Sequence, residues 1–91
     1  MREWLINVPD VGEVSTLDID NSSGEPPIVY LEFSVLSETI DDTIPNIVLN
    51  KMNEILNTST YGDFTIIMTN TSQVFEYSLD LTNNEWNRNS L

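Results

Sequence analysis

The chain has 91 residues, of which 15 are acidic and three basic, with no histidine or cysteine, for a formal charge of −12. Disulfides and thiolate metal sites are excluded, and direct binding to nucleic acid or to an anionic membrane is disfavoured because both need positive charge. With 40% hydrophobic residues in periodic order the sequence is nonetheless one that folds, as a single domain over residues 1–91 with a polar tail at 82–91.

In chain order, "EWLINV" (3–8) is a short apolar run ended by Pro9 and reads as a first strand. The start of the chain lacks a basic region, apolar run and cleavage site in series, and no stretch nears the roughly 20 apolar residues of a membrane span, so a cytoplasmic location is expected. Three Asn-x-Ser/Thr sequons, at Asn21, Asn57 and Asn70, are read as accidents of an Asn-, Ser- and Thr-rich chain. "EVSTLDID" (13–20) alternates weakly and predicts a second strand, followed by a turn over "NSSGEPP" (21–27). "IVYLEFSVL" (28–36) is the clearest strand, with Val29, Leu31, Phe33 and Val35 on one face and Tyr30, Glu32 and Ser34 on the other.

From Ile44 the period changes to that of a helix. Ile44, Ile47, Val48, Met52, Ile55 and Leu56 form an apolar stripe, and Asn46, Asn50, Asn53 and Asn57 lie on the far side within an arc of roughly 60°. The helix is expected to end between Asn57 and Thr60. Two more strands, "DFTIIMTN" (63–70) and "VFEYSLDL" (74–81), follow, and Trp86 is the one aromatic residue of the otherwise mostly polar tail. The expected fold is α+β: a mostly antiparallel five-stranded sheet in the order β-β-β-α-β-β, with one amphipathic helix packed on one face.

A helix of about 15 residues is about 22 Å long and covers only one face of such a sheet. The other face is expected to carry Asp18, Tyr30, Glu32, Ser34, Thr65, Ile67, Thr69, Glu76, Ser78 and Asp80.

Three other features are weaker. Glu38, Asp41 and Asp42 precede the helix, where Asp42 or Thr43 can cap its first turn while Asp41 and Glu38 sit near the positive end of its dipole. "DIDNSSGE" (18–25) has the carboxylates of a calcium loop but the wrong spacing: counted from Asp18, position 6 is Ser23 and position 12 is Val29. The helical asparagines read as a solvated face or a hydrogen-bonding strip for a partner. No metal and no cofactor is expected.

Without histidine, cysteine, a nucleophile elbow or a glycine-rich phosphate loop, an enzyme is not expected. A charge of −12 exceeds the magnitude of roughly 2–8 that solubility asks of a small domain and costs stability through self-repulsion. The expected function is binding and blocking a basic, nucleic-acid-handling protein such as a nuclease, in the manner of immunity proteins or phage inhibitors of bacterial defence, including anti-CRISPR proteins, with carboxylates standing in for phosphates. Asp18, Asp20, Glu32, Glu76 and Asp80 are the expected charges and Tyr30 the anchor. The alternative is a small assembly subunit that uses its open sheet face or edge to oligomerise.

Overall fold

The computed structural model describes residues 5, 7, 8, 10–21 and 25–91. The elements are β1 (Val11–Asp20), β2 (Ile28–Val35), α1 (Ile44–Leu56), β3 (Asp63–Thr69), β4 (Val74–Asp80) and β5 (Glu85–Ser90). They form one α+β domain in which a five-stranded sheet, in the spatial order β1-β2-β3-β4-β5, packs against α1.

Two expectations are corrected. First, the sheet is mixed: β2 and β3 at its centre run parallel, while β1–β2, β3–β4 and β4–β5 are antiparallel. A parallel pair needs a crossover of a dozen or more residues, and α1 supplies it as the middle of a β2-α1-β3 unit. Parallel strands usually read as unbroken apolar runs because helices cover both their faces. Here, among the described residues, no helix covers the other face, so β2 and β3 alternate like antiparallel strands and the sequence pattern hides their direction.

Second, the element order is β-β-α-β-β-β. The strand expected at 3–8 lies largely outside the described residues; of those described there, Leu5 and Val8 are buried and joined by a turn, the Val8 N–H donating to the Leu5 carbonyl at 3.1 Å. The fifth strand comes instead from the expected polar tail. Asparagine-rich β5 has little strand propensity of its own. It is held by Trp86, edge-on to Phe64 with centroids 5.6 Å apart, and by Arg88, whose guanidinium lies 4.8 Å over the Phe75 ring.

The core fills the space between α1 and one sheet face. Val29, Leu31, Phe33 and Val35 of β2, Phe64, Ile66 and Met68 of β3, and Tyr77 and Leu79 of β4 meet Ile44, Val48 and Met52 of α1. Half-buried Val14, Leu17 and Ile19 of β1 extend the layer. The expected helix stripe holds, except that Ile55 at its end is exposed.

Both helix ends are set locally. Pro45 occupies the first turn, where its missing N–H costs nothing, and Asn57 takes the left-handed conformation (φ 52°) that ends the helix. The expected caps are corrected: the Thr43 side chain makes no capping bond. Asp41 accepts from both the Thr43 N–H and hydroxyl at 2.8 Å, and Asp42 is drawn away to Tyr77 and Arg88.

Phe64 is fully buried between Tyr61, 4.9 Å away, and Trp86. Phe64→Ala should therefore lower unfolding free energy by about 3–5 kcal/mol, measured by urea titration, a large share of the roughly 5–15 kcal/mol of a small domain.

Candidate functional site: an acidic open sheet face

Because side chains alternate along a strand, the register that buries one set of residues under α1 aligns the others in rows across the opposite face. One row runs Asp18, Tyr30, Thr65, Ser78, Asn87 from β1 to β5. The next runs Thr16, Glu32, Ile67, Glu76, Asn89. On the other side of the first row, Asp20, Ile28 and Asp63 align, as do Asp80 and Glu85. Neighbours in a row are about 4.8 Å apart and neighbours along a strand about 7 Å.

All six residues expected to bind a partner, Asp18, Asp20, Tyr30, Glu32, Glu76 and Asp80, lie on this face. So do Ser34, Thr65, Ile67, Thr69 and Ser78, as the alternation required. Sequence reading overlooked two further carboxylates, Asp63 and Glu85. Asp63 has the parity of Thr65 and was findable; Glu85 depended on recognising β5.

Their surroundings differ. Glu32 and Glu76 are half-buried and flank Ile67 in one row. The Tyr30 hydroxyl faces a Glu32 carboxylate oxygen at 3.4 Å, a long contact. Desolvation, and then the charges of Glu32 and Glu76, raise the Tyr30 pKa, so the phenol stays neutral among carboxylates. Asp80 has a structural task as well: one carboxylate oxygen accepts from the Thr82 N–H at 2.9 Å and shapes the β4–β5 turn. Asp18 and Asp20 are exposed near the end of edge strand β1.

Among the described residues no cation reaches this face. Lys51 is on α1, 4.0 Å from Glu54, and Arg88 points to the helix side of the sheet, 3.0 Å from Asp42. The face is also graded. Its carboxylates crowd the end defined by Asp20, Asp63, Asp80 and Glu85, whereas Val74 and Leu91, both exposed, mark the far corner near β5.

On the helix side, polar groups serve the fold. The neutral Tyr77 hydroxyl, 2% exposed as a residue, donates to Asp42, which also receives Arg88, so the loop before α1, β4 and β5 meet at one carboxylate. Burial and this hydrogen bond push the Tyr77 pKa up to about 12. The asparagine stripe is partly spoken for: Trp86 Nε1 donates to Asn46 at 2.9 Å and the Tyr61 hydroxyl to Asn53 at 2.6 Å. The expectation of a simply solvated stripe is corrected at these two positions.

A shallow depression near the helix start is lined by Asp10, Ser37, Glu38, Asp41 and Asp42, among others. Among the described residues, no group of three or more acidic side chains is arranged to hold a metal ion, and no helix is long and apolar enough to cross a membrane. No family model, no curated protein and no solved structure matches the chain.

The phenol of Tyr77 has a folded pKa of about 12 against an ordinary 10.0. Its contribution to stability is complete below the ordinary value and is lost as pH rises through the folded one. Tyr77→Phe should cost about 1 kcal/mol at pH 7. Urea titrations should show that difference shrinking from about pH 10 upward, as the wild type loses what the variant lacks.

Proposed function

We propose that this protein binds a basic protein through its open sheet face and blocks it, without catalysing a reaction. The observation that carries the reading is an open face that bears seven carboxylates and, among the described residues, no cation. Asp18, Asp20, Glu32, Asp63, Glu76, Asp80 and Glu85 share one face, and both described cations lie on the other side of the sheet. Folding alone gives no reason to collect like charges on one surface, since their mutual repulsion lowers stability. A cationic partner turns that cost into attraction and speeds association.

Basic surfaces that gain from being blocked are chiefly those that handle nucleic acid, and a nuclease or other nucleic-acid-binding effector is the proposed target class. Carboxylates about 5–10 Å apart on a firm sheet compete with a phosphate backbone for the same lysines and arginines. The hydroxyls and amides between them offer neutral hydrogen-bonding groups. The kinship with immunity proteins and anti-CRISPR inhibitors is one of size and charge.

The testing experiment is affinity capture from host lysate, eluted in salt steps, followed by binding kinetics with the captured protein. A basic nucleic-acid-handling protein should be released at moderate salt and lose its nucleic-acid activity when bound. Glu32→Lys with Glu76→Lys should leave the fold intact by circular dichroism and weaken binding at least about tenfold, mainly through association rate. Unchanged affinity in that variant would remove the sheet face from the proposal.

A further inference from the structure

The two outer edges of the sheet are built differently, and the difference points to a second binding surface that does not depend on the acidic face. Edge strand β1 is guarded. Its ladder is broken by register shifts between Val11 and Val14 and between Val14 and Thr16, and it carries Glu13, Asp18 and Asp20. Irregularities and charge are the usual protection of an edge against pairing with another chain.

Edge strand β5 has no such irregularity, and its two charges, on Glu85 and Arg88, cancel. It pairs with β4 in unbroken register from Glu85 to Ser90 and contains neither proline nor glycine. The Leu91 N–H donates to the Val74 carbonyl at 2.9 Å, which fixes the phase of the ladder. Bonded pairs alternate in an antiparallel ladder, so Glu85, Asn87 and Asn89 bond to β4, and the N–H and C=O groups of Trp86, Arg88 and Ser90 face outward.

We propose that this edge pairs antiparallel with β5 of a second copy of the chain, joining two sheets into one of ten strands. Charge selects that occupant. In a chain of net charge −12, β5 carries one acid, Glu85, and one base, Arg88, and presents the neutral Asn87 and Asn89 on the open face. A two-fold axis at Asn87 sets Trp86 opposite Arg88 of the second copy in both directions, an aromatic–cation pairing on the helix side. The carboxylates on β4 of the two copies are then separated by three strand spacings, roughly 14 Å, beyond the roughly 8 Å Debye length at physiological salt. The same approach through β1 brings carboxylates on both chains to within one spacing.

An edge of six residues makes a small interface, so the dimer is weak, with Kd on the order of 0.1–1 mM. Sedimentation equilibrium from 10 μM to 1 mM, in 50 and 500 mM NaCl, tests it. The average mass should climb toward that of the dimer near 1 mM, at lower protein concentration in the higher salt. Asn87→Asp sets two carboxylates face to face across the two-fold axis without removing a bond to β4, and should weaken dimerisation several-fold in 50 mM NaCl while circular dichroism stays unchanged. In the wild type, exchange of the Trp86 and Arg88 amides should slow with concentration. A monomer at 1 mM in 500 mM NaCl, an undiminished dimer in a folded Asn87→Asp, or concentration-dependent protection on β1 instead of β5 would each overturn the proposal. Should Asn87→Asp fail to fold, the wild-type mass and amide pattern decide it. Protection of the β5 amides only when a captured target is added would assign the edge to that target and likewise overturn pairing between copies.

Discussion

Among the described residues one helix of more than a turn covers a sheet of five strands, and the rest of the structure follows from that shortage. A helix of 13 residues gives a core one layer deep, and the buried hydrophobic residues of the strands lie on one side of the sheet. The strands alternate because only one face has anything apolar to meet. The bare face is then the place where the chain's excess carboxylates can stand without entering low-dielectric surroundings.

The same shortage explains the polar contacts at the margins of the core. With no cysteine to cross-link the chain, the outer strands are fastened by side chains that are part aromatic and part hydrogen-bonding. Trp86 packs on Phe64 and reaches Asn46; Tyr61 packs on Phe64 and reaches Asn53. Tyr77 and Arg88 converge on Asp42. Each bond ties β4, β5 or the chain leading into β3 to the helix or to the loop before it. Two of the three described ring pairs involve Phe64, which puts this residue at the junction of the helix, β3 and β5.

Legibility in the sequence followed the strength of the local pattern. β2, α1, β3 and β4 are clear because their apolar spacing repeats over several turns or pleats, and that same spacing placed Glu32, Glu76 and Ile67 on the open face. Strand direction was not legible, since a parallel pair covered on one face has the alternation of an antiparallel one. β5 was missed because its stability comes from contacts at Trp86 and Arg88 with residues more than 10 positions away, while Asn87, Asn89 and Ser90 carry no strand signal. Asp42 looked like a cap because it precedes the helix. Its actual partners, Tyr77 and Arg88, are 35 and 46 residues further on.

The parity of the strands divides the chain into two sets of positions with different freedom to vary. Val29, Leu31, Phe33, Phe64, Ile66 and Met68 are committed to the core, and a change in any of them is felt throughout. Glu32, Thr65, Ile67, Glu76 and Ser78, each next to a core residue in sequence, touch none of that packing from their side of the sheet. Mutation can revise one set while leaving the other alone. A lineage pressed to follow a changing target therefore has, on this face, a surface that can evolve quickly without the protein ceasing to fold.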